Sequence, residues 1–169
     1  MQRRVACVVA VVAACVVAVG AACGPSDAQI RTAKTATYAT EPQRVFELAM
    51  DAARESYKIG GVDQARLVFA TVPRVYNPDG GLESTGADDY LHFQDHSMRV
   101  SLLVEIVVTA DHHVAVTVTP RAQELLAGSP KPRDIAPDDP ALPGFVHGRV
   151  DALAYAIFER AKPYYVAPH

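Results

Sequence analysis

Hydrophobic and polar positions divide this chain into a leader, a short polar link and one folded unit. From Val5 to Ala22 every residue is Val, Ala, Cys or Gly, with no polar face at any period. After the polar stretch Gly24–Gln29, a Thr- and Ala-rich segment ending at Tyr38 predicts a first strand over 31–39. Thr40-Glu41-Pro42-Gln43 predicts a helix start, with Thr40 as cap, Gln43 completing a capping box and Pro42 in the first turn. Val45, Leu48, Ala49 and Ala52 then form one stripe at helical spacing, with Phe46, Met50 and Ala53 beside it. The helix is expected to stop before Gly60-Gly61.

Residues 57–62 and 66–72 predict a hairpin that buries Leu67, Val68, Phe69 and Val72, with the glycine pair as a bulge. The Gly and Pro residues of Pro73–Asp89 predict a loop. Met98–Thr109 is the strongest strand, apolar on both faces, and Ala110–His113 turns the chain. Val114–Thr119 alternates at period two, which predicts one Thr-rich exposed face. A second loop is expected over Gly128–Pro143, where five prolines argue against strand pairing. The last helix spans Gly144 to about Lys162, with Val146, Val150, Leu153, Ile157 and Ala161 as its apolar stripe.

The expected order is therefore β-α-β-β-(β)-β-β-α. It predicts an α+β fold: an antiparallel sheet of about five strands with two helices packed on one face. The division is a leader over 1–22, a tether over 23–30 and a single domain over 31–169.

The leader has its own logic. Arg3 and Arg4 give a short positive start, Val5–Val19 is the apolar stretch, and Gly20-Ala21-Ala22 offers small residues to a peptidase that must approach extended backbone. Gly20-Ala21-Ala22-Cys23 resembles the lipobox of bacterial lipoproteins. The resemblance implies a diacylglycerol on the Cys23 thiol, cleavage after Ala22, and stable anchoring of the new N-terminus through its acyl chains. The position three before the cysteine is usually Leu or another branched residue; here it is Gly20. Cleavage by an ordinary signal peptidase and an uncleaved membrane anchor are the alternatives to lipidation. Gly24 is not the Asp that resembles an inner-membrane retention signal, so the expected address is the outer membrane, facing the periplasm. On element order alone the mature domain resembles small envelope lipoproteins that assist outer-membrane assembly.

Charge narrows the partners. The chain carries 16 basic and 19 acidic residues, and losing Arg3 and Arg4 with the leader moves the net charge from −3 to about −5. No basic run exceeds Lys131-Pro132-Arg133, which argues against nucleic acid and against a polybasic membrane patch. Cys7, Cys15 and Cys23 all lie at or before the cleavage point, so neither a disulfide framework nor a cysteine metal site is expected in the domain.

Histidines are the first candidates for chemistry. His92 and His96 are four apart, a spacing that gathers two metal ligands on a helix but spreads them by roughly 13 Å on a strand. Asp111-His112-His113 would join them only if the sheet register brought the turn to that segment; otherwise the rings are simply solvated, or His112 and His113 respond to pH. No serine lies in a Gly-x-Ser-x-Gly elbow, and the paired acids Asp88-Asp89 and Asp138-Asp139 fall in expected loops. No catalytic residues and no cofactor are therefore predicted. Tyr76, Tyr90 and Phe93, in or beside the first long loop, are candidates for a recognition surface or for lids over the sheet.

The functional expectation is a non-enzymatic lipid-anchored accessory protein that docks another envelope protein on its uncovered sheet face. The alternative is a carrier that holds a small apolar or lipidic ligand between sheet and helices, where Ala49, Ala52, Ala53, Ala154 and Ala161 leave room. A histidine-based metal site is the minor alternative.

Overall fold

The computed structural model describes residues 24–84 and 93–167. Within them the chain is α+β, as expected, but with three helices and nine strands. The first correction is at the start. Within the expected tether, residues 27–30 are helical: Ser26 caps helix α1 (Asp27–Thr35), its hydroxyl accepting from the Gln29 backbone while the Gln29 side chain accepts from the Ser26 N–H. The expected first strand shrinks to β1 (Thr37–Tyr38).

Helix α2 (Pro42–Ser56) begins at Glu41 with no side-chain cap, so the Thr40–Gln43 box is not formed. Pro42 alone supplies the start, because its missing N–H is one that a first turn leaves unpaired. Of the expected stripe Val45, Ala49 and Ala52 are buried, as are Phe46 and Ala53 beside it, while Leu48 is half-buried. Helix α3 (Gly144–Ala161) buries Val146, Val150, Leu153, Ile157 and Ala161, together with Ala154 and Phe158.

The sheet is built on two long strands, β6 (Ser97–Val108) and β7 (Val114–Leu125), paired antiparallel from Ser97↔Leu125 to Val108↔Val114. On the outer edge of β6, β3 (Val68–Thr71) pairs with residues 103–105 and β4 (Arg74–Tyr76) with residues 98–100. β2 (Ile59–Asp63) extends the sheet beyond β3, with the predicted bulge between Ile59 and Gly61. β4 also forms a hairpin with β5 (Leu82–Ser84). On the outer edge of β7, β1 covers residues 114–115 and β8 (Arg133–Ile135) covers residues 122–124; β9 (Tyr165–Val166) pairs with β1.

Two predicted loops therefore contain strands. The Pro73–Asp89 segment supplies β4 and β5, with the turn at Asn77–Gly81. The proline-rich 128–143 segment supplies β8, three residues that fit between Pro132 and Pro137. Prolines forbid a long strand there, not a short one.

All three helices lie on one face of the sheet. Alternation along β6 puts Met98, Val100, Leu102, Val104 and Ile106 under them, and Val114 and Ala122 do the same on β7. Phe46 of α2 meets Phe69 of β3 edge-on, with ring centroids 5.8 Å apart. Truncating such a buried ring costs about 3–5 kcal/mol. Ala49, Ala53 and Ala161 are each 0% exposed, so the small residues bring the layers together. Salt bridges on the helix surface add Lys34–Asp151 at 2.8 Å between α1 and α3, and Glu55–Arg160 between α2 and α3.

Candidate functional site

Period-two alternation gives β6 and β7 a second face, turned away from the helices. It carries Arg99, Ser101, Leu103 and Glu105 from β6, and Ala115, Thr117, Thr119, Arg121 and Gln123 from β7. Val68, Ala70 and Val75 extend it on one side and Asp134 on the other. These residues are half-buried or exposed, and no described helix packs over them. β6 is thus apolar on one face only.

One row crosses four strands in register: Val75, Arg99, Gln123 and Asp134. The Arg99 guanidinium donates to Gln123 Oε1 at 3.2 Å, and the Gln123 amide donates to Asp134 Oδ1 at 2.8 Å. In the next row Ser101 faces Arg121, and in the one after it Leu103 faces Thr119. Arg99, Ser101, Thr119 and Arg121 all line one open cavity of about 540 Å³, together with Pro73 and Pro137. The cavity runs onto the stretch of β7 between β1 and β8, where Pro120 occupies an edge with no strand partner among the described residues. A proline fits there because it has no N–H to leave unpaired.

The described residues singled out from sequence lie elsewhere. Tyr76 is a strand residue, not a loop residue: it is 3% exposed, packed against Phe145 at 5.7 Å between centroids, with the Arg149 guanidinium 5.2 Å from its ring. β4 carries it inward because Val75 takes the outward position. Phe93 is half-buried at the approach to β6. Cys23, Tyr90 and His92 lie outside the described residues.

The described candidate histidines, His96, His112 and His113, are split between the two ends of the β6–β7 hairpin. His96 precedes β6 and His112–His113 follow it, so twelve strand residues, roughly 35–40 Å, separate them. The register that would have joined them does not occur. His96 adopts φ 65° and its Nδ1 lies 2.7 Å from Glu124 Oε1, while Arg133 holds the other Glu124 oxygen at 2.6 Å. The hydrogen bond to Glu124, with the charge of Asp95 adding, raises the His96 pKa above its ordinary value of 6.5. His112, at φ 60°, and His113 turn the hairpin, which Thr109 closes through its backbone and hydroxyl contacts with His113. No group of three or more His, Cys, Asp or Glu side chains is placed to hold a metal among the described residues.

Of the paired acids, Asp139 accepts the Ala141 N–H and shapes a turn; Asp88 and Asp89 lie outside the described residues. Tyr38, 1% exposed beneath the helices, has its phenol pushed up to about 12 by burial, with Tyr165 adding to the shift.

Sequence reasoning passed over the diagonal Arg99–Arg121 pair. The signal was present: the odd positions of β6 and β7 carry nearly all of their polar residues. It was masked by Leu103, Val107 and the continuous valines around them.

These features define a class: an α+β domain with one helix-covered sheet face and one open polar face. No protein-family model matches the chain, and no curated protein is significantly similar to it. Among the described residues no helix is long and apolar enough to cross a membrane.

Proposed function

We propose that this protein is a lipid-anchored envelope protein that works by binding through its open sheet face, not by catalysis. The observation that carries the reading is the spacing at the N-terminus. The lipobox-like Gly20-Ala21-Ala22-Cys23 is followed by only Gly24 and Pro25 before Ser26 caps α1. A lipid on Cys23 would then hold the domain within roughly 10 Å of the membrane surface. The polar groups of the open face engage one another in a ladder, Arg99 to Gln123 to Asp134, and do not converge as nucleophile, base and orienting acid.

A partner anchored in or near the same membrane suits such a module, because confinement raises the local concentration of a weakly interacting face. The apolar carrier reading is less well supported, since the alanines that would have left room between sheet and helices are themselves buried.

Fractionation of cells producing the wild type and Cys23→Ala tests the anchor, and crosslinking in the same cells tests the face. The expected result is membrane association lost in Cys23→Ala. One reproducible envelope crosslink is expected as well, weakened by Thr117→Arg on the open face. Unchanged membrane association, or a crosslink pattern indifferent to Thr117→Arg, would count against the reading.

A further inference from the structure

We infer that Arg74, Arg149, Tyr57 and Tyr76, gathered where α2 ends, β4 begins and α3 takes its second turn, bind an oxyanion carried on an apolar body. The site lies on the helix side of the sheet, so the inference goes beyond the open face and does not rest on it. Period-two alternation along β4 turns Val75 to the open face and Arg74 and Tyr76 toward the helices. Arg74 donates to the Ser56 carbonyl at the end of α2, and its guanidinium lies 4.7 Å from the centroid of the Tyr57 ring. A guanidinium carries five N–H donors, so that one bond leaves others to spare. Arg149 comes from α3, its guanidinium 5.2 Å from the Tyr76 centroid. Among the described residues Arg149 makes no hydrogen bond, and no carboxylate pairs with it or with Arg74. Acids on the two flanking helices are engaged elsewhere: Asp51 with Arg54, Glu55 with Arg160 and Asp151 with Lys34.

The phenols point to the same spot. Tyr76 is 3% exposed, yet neither its hydroxyl nor that of half-buried Tyr57 makes a hydrogen bond among the described residues. No buried side-chain oxygen there lacks a partner, so both hydroxyls must open to water. Burial raises the Tyr57 pKa, the neighbouring Tyr76 phenol adds to the rise, and the charges of Arg149 and Arg74 both oppose it. Four donor groups thus surround one solvent-facing point, with no anion among them. Two like charges held close are unfavourable until an anion lies between them, and guanidinium edges match the paired oxygens of a phosphate or carboxylate. An apolar flank is supplied by Phe145, 5.7 Å from Tyr76, and by Leu82, which pairs opposite Tyr76 on β5 and is 51% exposed. The match is local, since the chain as a whole is acidic.

Phosphate esters and carboxylates share this chemistry, and two cations favour the doubly charged group. Calorimetric titration of the purified full-length protein with phenyl phosphate, inorganic phosphate, benzoate and uncharged benzyl alcohol separates them. Saturable binding of phenyl phosphate is expected, tighter than inorganic phosphate and weaker at high salt. Arg149→Gln should weaken it at least about tenfold. Arg149 is exposed, so this variant should melt like the wild type. Tyr57→Phe keeps the ring under Arg74 and should cost a smaller factor. Arg121→Gln on the open face and Arg66→Gln on the distant β2–β3 turn should bind like the wild type. Tighter binding of phenyl phosphate identifies a phosphate ester, and tighter binding of benzoate a carboxylate. No saturable binding of either anion, equal affinity in Arg149→Gln, or benzyl alcohol binding as tightly as the anions overturns the assignment. None of these outcomes depends on Cys23→Ala or Thr117→Arg, so this site fails separately from the anchor and the open face.

Discussion

The backbone N–H of Leu102 donates to the side-chain hydroxyl of Thr71 over 2.9 Å in the buried interior of the sheet. The bond sits where the edge of β6 changes partner. β3 pairs with residues 103–105 and β4 with residues 98–100, and the chain between them kinks at Val72-Pro73. Leu102 falls in the gap, and a hydroxyl replaces the carbonyl that a continuous strand would have offered. Thr71→Val keeps the shape but orphans a buried donor, which costs about 1–3 kcal/mol. Thr71→Ser keeps the hydroxyl and should lose less. Denaturant unfolding of both variants checks this; equal losses would mean that the hydroxyl contributes nothing.

Gly80 is a second backbone dependence. It adopts φ +85° in the β4–β5 turn, and a Cβ there would lie 2.8–2.9 Å from Phe145 Cγ and Cβ. Gly80→Ala therefore combines left-handed strain with a clash against the ring that packs on Tyr76, for a loss of about 2 kcal/mol or more. Thermal melting measures it. A Gly80→Ala protein as stable as the wild type would show that Phe145 moves aside freely.

The His96–Glu124 contact predicts a small pH dependence of definite sign. The folded pKa of His96 is raised, so the stabilisation is fully present below about pH 6.5 and is lost as pH rises through the raised value. The ring is solvent-exposed, so screening keeps the effect modest. Nuclear magnetic resonance titration should give His96 a pKa above 6.5 in the wild type, falling toward 6.5 in Glu124→Gln. A His96 titration unchanged by that substitution would remove Glu124 as the cause.

Tyr38 acts at the alkaline end. Its phenol titrates near 10 when unfolded and at about 12 when folded. The unfolded chain gives up that proton first, so stability falls as pH rises from 10 through 12. Tyr38→Phe removes this contribution, and its stability should fall less steeply across the same window. Parallel curves for the two proteins would contradict the assignment.

The long elements were legible because their patterns are internal to them. α2, α3, β6, β7 and the bulged β2–β3 hairpin each carry enough periodic apolar positions to declare themselves. The short strands do not. β4, β5 and β8 have three residues each and sit among prolines and glycines; β4 and β8 are strands because β6 and β7 are longer than β3 and β1 can cover, and β5 because the Asn77–Gly81 turn folds it back on β4. Long strands with spare edge recruit whatever extended segment lies nearby. Tyr76 was misplaced for that reason, since only pairing with Met98 decides that it points inward. At α1, the Ser26–Gln29 capping box lay inside a short polar stretch beside the leader, which read as a tether. The open-face cavity required two strands in register to bring Arg99 beside Arg121, which no single segment reveals.

Mass spectrometry of the mature N-terminal peptide tests the central claim most directly. Lipid anchoring predicts a chain that begins at Cys23 and carries a diacylglycerol on its thiol, with no peptide from residues 1–22 attached. An unmodified Cys23, in a chain cut elsewhere or still joined to its leader, would contradict the account.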